Sequence, residues 1–187
     1  MDHTTAHDLE QLRRAQAGHL QYESAPFELV EGALQACGSG PFASALELGG
    51  SIGVFTELLA PRCNRLTRVD VAATAAAMAR RRLTGLPGVE VIRGAIPEAI
   101  PEREYDLVVA SEILYYLAAE DFERTLAVIR ARLVTGGRLV AMHWRPEESE
   151  RPFTAGEVHE RLRDDPWLES VVAVQGPGYL LDALDRC

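Results

Sequence analysis

Apolar and polar positions along this chain follow two rhythms. Residues 8–20, DLEQLRRAQAGHL, and 24–38, SAPFELVEGALQACG, carry a helical period. In the second segment Pro26 sits in the first turn, Phe27, Val30 and Leu34 share one face, and Gly38 closes it. GSGP at 38–41 is a short linker. From residue 43 strand-like and helix-like segments alternate. ASALELG at 43–49 is a short apolar strand, and VFTELLAP at 54–61 a short helix stopped by Pro61. RLTRVDV at 65–71 is a strand, and AATAAAMARRRLTG at 72–85 a helix with Gly85 at its end. VEVIRG at 89–94 and YDLVVAS at 105–111 are strands, the latter almost continuously apolar, as expected when both faces of a sheet are covered.

EDFERTLAVIRARLVTGG at 120–137 reads as an amphipathic helix with Gly136 just past its end, and RLVAMHW at 138–144 as a strand. TAGEVHERLRDD at 154–165 opens with the capping box of Thr154 and Glu157. WLESVVAV and YLLDAL, joined by QGPG, read as two strands that must be antiparallel, because so short a connection cannot cross a sheet. Strand alternating with helix predicts an α/β fold. The sheet is expected to be Rossmann-like, doubly wound and mostly parallel, with an antiparallel C-terminal hairpin. The expected organisation is one globular unit, with residues 1–42 as an N-terminal helical cap segment ahead of the main domain at 43–187.

Composition narrows the class. A chain of 187 residues suits one well-buried domain, and 47% apolar with 25% charged residues is ordinary for a globular protein. No run approaches the roughly 20 apolar residues of a membrane span, and the polar N-terminus lacks a signal-peptide core, so a cytoplasmic protein is expected. A net charge of -9 argues against a nucleic-acid partner. ARRRL at 79–83 falls in the last turn of a predicted helix, where cations complement the dipole. All 19 basic residues are Arg, which with the abundance of Ala points to a high-G+C bacterial genome. Cys37, Cys63 and Cys187 fit neither a disulfide framework nor a zinc pattern, and no metal site is expected.

The candidate chemistry starts at ALELGGSIG, residues 45–53, between a predicted strand and a predicted helix, where backbone N–H groups can face a ligand. The dinucleotide fingerprint fails, because the third and sixth positions counted from Gly49 are Ser51 and Val54. No Lys follows the glycines, so a triphosphate loop fails too. Asp70 ends the next strand about 20 residues on, where a carboxylate can take ribose hydroxyls or simply cap a helix.

Glu47, Gly49, Ser51 and Gly53 resemble motif I of class I S-adenosylmethionine-dependent methyltransferases, E/D-x-G-x-G-x-G, with Ser in place of the middle glycine. The resemblance covers about residues 43–144 and implies a seven-stranded sheet whose last strand is antiparallel. It implies S-adenosylmethionine as cofactor, approached closely by Gly49 and Gly50. By position, Val71 would flank the adenosine, and Gly94, Ala95 and Ile96 would lie along the adenine, with Ala95 where an acidic residue is usual. Ser111 and Glu112 would face the reactive methyl.

SEILYYL at 111–117, with LTRVDV and LAPRC, resembles the nodulation protein S (NodS) group over about residues 45–140. That group comprises small bacterial N-methyltransferases acting on the amino sugar of a chitooligosaccharide. YESAPFE at 22–28 is similar to a cofactor-covering segment of relatives of the group, which makes Tyr22 a lid contact. Methyl transfer is an in-line displacement, so positioning supplies much of its rate. An ammonium or hydroxyl acceptor must first lose a proton. Glu112 and His143, each at the C-terminal end of a predicted strand, are the candidate bases or orienters. Glu112 could instead cap the following helix, and His143 could be a satisfied sheet-end histidine. Tyr115, Tyr116 and Trp144 are candidates for an aromatic wall around a sugar or an ammonium. Of the two adjacent tyrosines, one is expected to face the core. The expected activity is N-methylation of an amino sugar or amine-bearing small molecule. The alternatives are an O-methyltransferase of a secondary metabolite with His143 as base, and a catalytically silent partner protein that keeps the fold.

Overall fold

The computed structural model describes residues 27–145 and 151–187; Tyr22 and the helix predicted over 8–20 lie outside the described residues. The elements are α1 (Phe27–Cys37), β1 (Ala45–Leu48), α2 (Val54–Leu59), β2 (Leu66–Asp70), α3 (Ala73–Arg82), β3 (Val89–Arg93) and β4 (Tyr105–Ser111). They continue with α4 (Ala119–Arg132), β5 (Leu133–Trp144), α5 (Ala155–Asp164), β6 (Leu168–Gly176) and β7 (Tyr179–Arg186). Single 3-10 turns follow α2 at Ala60–Arg62 and β4 at Leu114–Tyr116.

The strands form one seven-stranded sheet in the order β3-β2-β1-β4-β5-β7-β6. β1 to β5 are mutually parallel, and β7 runs antiparallel to both β5 and β6. The expected doubly wound α/β sheet with a reversed hairpin is therefore present. Side chains alternate across it with the strand period of two. On one face Ala45, Leu107, Val109, Val140, Met142 and Leu181 meet Ala33 and Cys37 of α1 and Phe55 and Leu59 of α2. On the other, Leu46, Leu48, Val108, Ala110, Leu139 and Ala141 meet Phe122, Leu126 and Ile129 of α4 and Val158 and Leu162 of α5. β4 is apolar on both faces because helices cover both.

One boundary differs from the sequence pattern. The amphipathic run starting at Glu120 was expected to stay helical nearly to Gly136, yet α4 ends at Arg132 and Leu133 is already extended (φ −73°, ψ 125°). Leu133 is fully buried and pairs with Tyr105 of β4. Gly136, with φ 75°, lies where the β4–β5 register shifts between Tyr105 and Leu107. Pairing of a buried strand with an irregularity at the glycines thus overrides the helical period. At the opposite end of the sheet from the glycine loop, Asp106 accepts from the amides of Ala43 (2.6 Å) and Ser44 (3.0 Å) and ties the entry of β1 to β4.

Candidate functional site

β1 and β4 are neighbours whose chains leave in opposite directions, the topological switch point where doubly wound sheets bind ligands. One wall is the turn Gly49–Gly53. Gly49 holds φ 76°, and a Cβ on it would stand 2.8 Å from Ile113 Cβ and 2.9 Å from the Ser111 carbonyl. Gly50 has ordinary backbone but no room, since a Cβ there would lie 2.8 Å from both Arg68 Nε and Glu47 Cδ. Ser51 adopts φ 46°, a left-handed conformation that an L side chain rarely takes. Its amide donates to Asp70 Oδ2 at 3.0 Å and its carbonyl accepts from Arg68 Nη2.

A buried set of charges braces this turn from below. Glu47 is fully buried and stands opposite Arg68 in the parallel β1–β2 pairing. Thr56 Oγ1 donates to Glu47 Oε2 at 2.5 Å, and Arg68 Nη2 donates to Asp70 Oδ2 at 3.1 Å. Burial pushes the Glu47 carboxyl above its ordinary range, with Arg68 pulling the other way. The same two influences act on Asp70 in the same order. The carboxylates differ in access: the Asp70 side chain is 12% exposed, whereas Glu47 has no exposed surface. Glu47 therefore supports the turn, and Asp70 can be reached from outside. Asp70 accepts from Ser51, Arg68 and Ala72. A carboxylate offers about four acceptor positions, which leaves one for a ligand hydroxyl. Beyond it, exposed Val71 and Ala95 and half-buried Ile96 line the ends of β2 and β3.

The second wall is built where β4 ends. Ser111 is buried there, in register with Met142 of β5. Glu112 takes φ 55°, donates its amide to the Met142 carbonyl at 2.9 Å, and turns its carboxylate between two donors. Oε1 accepts from the Trp144 amide and Oε2 from the Tyr115 hydroxyl. Burial pushes this carboxyl up; both donors and the Arg151 charge oppose it. Tyr115 is fully buried and Tyr116 half-buried, the rings meeting edge-on at 4.6 Å. The Arg151 guanidinium lies 4.1 Å from the Tyr115 ring centre and 4.9 Å from that of Tyr116, and donates to the Tyr116 hydroxyl at 3.1 Å.

For His143 the geometry fits the alternative left open above, a satisfied sheet-end histidine. His143 has no exposed surface, and its Nε2 accepts from the Leu114 amide at 3.3 Å. Its Nδ1 meets His159 Nε2 at 2.9 Å, and His159 Nδ1 meets Asp182 Oδ2 at 2.7 Å. Burial, then the neighbouring His159 and Arg151, holds His143 well below the usual imidazole range. An enclosed imidazole whose lone pair is engaged has no path to an acceptor proton, so the geometry corrects the assignment of His143 as base. The Trp144 ring is half-buried against Gly178 at the β6–β7 turn, and only its backbone amide is turned to Glu112. Arg68, Arg151, His159 and Asp182 were not singled out from the sequence. Arg68 alone left a trace, a cation in the middle of an apolar strand. Burial and nearby carboxylates push the Cys37 and Cys63 thiols to about 12, so both stay protonated.

The sheet order, the reversed seventh strand and the glycine turn after β1 define the class I methyltransferase fold. Within it, the chain belongs to the nodulation protein S (NodS) family, whose model matches residues 20–141. It is similar to nodulation protein S of Rhizobium tropici, 38% identical over 120 residues that make up 62% of this chain and 50% of that protein. It also resembles nodulation protein S of Sinorhizobium fredii, with 41% identity over 78 residues, 42% of this chain and 36% of that one. The chain thus spans half or less of the length of these curated relatives. Among solved structures, N-methyltransferase NodS from Bradyrhizobium japonicum WM9 in complex with S-adenosyl-L-homocysteine aligns with a TM-score of 0.76 and 28% identity. The alignment covers 85% of this chain and 86% of that one.

Proposed function

We propose that this protein binds S-adenosylmethionine and methylates an amine on a small molecule, an amino sugar being the leading acceptor class. The observation that carries the reading is the pairing of two walls at the β1–β4 switch point, the glycine turn braced by Asp70 and the half-buried Glu112 carboxylate on its left-handed turn. The residues fit the cofactor. Gly49 and Gly50 keep the turn free of side chains, Asp70 has an acceptor position left for a ribose hydroxyl, and Val71, Ala95 and Ile96 offer an apolar edge for adenine. The cofactor, when bound, supplies a methyl group activated on a sulfonium. Glu112 orients the acceptor nitrogen and takes up its proton. The raised carboxyl of Glu112 suits that task, because a base held nearer neutrality can both accept and release a proton. Tyr116 and Arg151 border the acceptor side.

The enclosure of His143 weighs against O-methylation with that residue as base. The protein is incubated with methyl-labelled S-adenosylmethionine and two panels: D-glucosamine with aliphatic amines, and matched alcohols and phenols. Label is expected on amines. Label on hydroxyl acceptors alone refutes the reading, and no calorimetric binding of S-adenosylhomocysteine at millimolar concentration favours the silent partner.

A further inference from the structure

A buried chain of polar groups runs Leu114–His143–His159–Asp182. It joins the turn after β4 to β5, α5 and β7. His143, His159 and Asp182 are 0%, 0% and 1% exposed, so every polar atom in the chain needs a partner within the protein. The tautomers follow from either end. The Leu114 amide can only donate, so His143 Nε2 carries no proton and Nδ1 carries it. His143 Nδ1 then donates to His159 Nε2, which leaves the His159 proton on Nδ1, facing the Asp182 carboxylate. Starting from Asp182 and working back gives the same result. Arg163 Nη1 donates to Asp182 Oδ2 at 2.9 Å and closes the chain at the surface.

The chain ends where it matters for the second wall. Leu114 opens a 3-10 turn whose preceding residue, Ile113, provides no side-chain cap, so its amide takes an acceptor from β5. Three consecutive β5 residues then grip the Glu112–Tyr115 segment. The Met142 carbonyl accepts from the Glu112 amide, His143 Nε2 accepts from the Leu114 amide, and the Trp144 amide donates to the Glu112 carboxylate. The His143 ring also lies 4.8 Å, centre to centre, from that of Tyr115, whose hydroxyl holds the other Glu112 oxygen.

We infer that His143, His159 and Asp182 are positioning residues that lock the turn carrying Glu112 and Tyr115, so that the Glu112 carboxylate meets the acceptor in one orientation. The catalytic meaning of this device rests on the function proposed above; the device itself is readable without activity. Long-range proton–nitrogen spectra of the wild-type chain at pH 7.5 are expected to show His143 and His159 as neutral Nδ1–H tautomers. An imidazolium or an Nε2–H tautomer at either residue overturns the inference. Amide exchange supplies the second arm. His159→Leu cuts the chain and is expected to speed exchange at Leu114 and Glu112 by about tenfold or more, with Leu46 of β1 unchanged. His159→Gln keeps one acceptor and one donor and is expected to restore protection. Equal acceleration at Leu46, or no rescue by Gln, makes the chain ordinary core and overturns the inference; if His159→Leu does not fold, the tautomer spectra and His159→Gln decide. Calorimetry with S-adenosylhomocysteine separates the two readings. Binding is expected to be equal in wild type and variants, because the glycine turn lies outside the chain. Absence of binding to wild type overturns the functional reading, whereas intact binding with unchanged Leu114 exchange overturns the device alone.

Discussion

Ser51 and Glu112 are the two non-glycine residues, among those described, whose backbone sits in the left-handed region, and they stand on opposite walls of the candidate site. Strain of this kind costs about 1–2 kcal/mol per residue and persists where the surroundings enforce it. At Ser51 the amide and carbonyl are both held, by Asp70 and Arg68, while the buried hydroxyl has no partner. Glycine at this position would relieve the strain but add about 0.5–1 kcal/mol of backbone entropy to the unfolded chain. Relief is the larger effect. Ser51→Gly is therefore expected to raise unfolding free energy by about 0.5–1 kcal/mol in urea titrations. At Glu112 the carboxylate, held between Trp144 and Tyr115, is where the proposed chemistry rests. Glu112→Gln keeps the shape and loses the base. It should lower turnover on an amine acceptor by roughly 10²–10⁴-fold while S-adenosylhomocysteine binds as before. Turnover within a fewfold of wild type would remove Glu112 from the reaction.

Elements reach the site through borrowed contacts. α1 has no basic residue in its last turn, and its terminal carbonyls are satisfied from elsewhere. Arg62 Nη1 donates to the Leu34 carbonyl and, at 2.9 Å, to that of Gly38. Arg138 Nη1 donates to Ala36 at 3.1 Å while its Nε and Nη2 pair with Asp185 of β7. Arg62→Ala would leave two helix-end carbonyls without this donor. The expected cost is about 1–3 kcal/mol, appearing as faster amide exchange across α1 with the β4–β5 core unaffected. Uniform acceleration would show instead that α1 and the sheet open as one unit.

For the molecule as a whole, buried ionisable groups set how stability responds to pH. His143 is depressed in the folded state. Its contribution is therefore present above the ordinary imidazole value near 6.5 and is lost as pH falls toward the folded value. Glu47, Asp70 and Glu112 act in the other direction, since their raised carboxyls contribute stability at low pH that is lost as pH rises through them. His143→Gln, which retains an acceptor for Leu114, isolates the imidazole. Wild-type stability minus that of the variant is expected to shrink below pH 6.5 by up to about 1.4 kcal/mol per pH unit. A difference constant between pH 8 and 5 would show that His143 is not held neutral.

The alternating apolar segments, the turn glycines and Asp70 were legible because each expresses a local requirement. Strand and helix periods, a backbone with φ above zero and a carboxylate at a strand end all depend on residues a few positions apart. The order of elements then fixed a doubly wound sheet and, with it, which strand ends meet. What the sequence left open were pairings across long separations. Register between β1 and β2 put Arg68 opposite Glu47 and within reach of Asp70. Pairing of Leu133 with Tyr105 ended α4 at Arg132. Packing of α5 and β7 brought His159 and Asp182 to His143 from 16 residues away and, through His159, a further 23. A histidine at a strand end looks the same in sequence whether its lone pair faces solvent or a backbone amide. Burial and partner choice decide between a base and a support, and both come into being only when distant elements pack together.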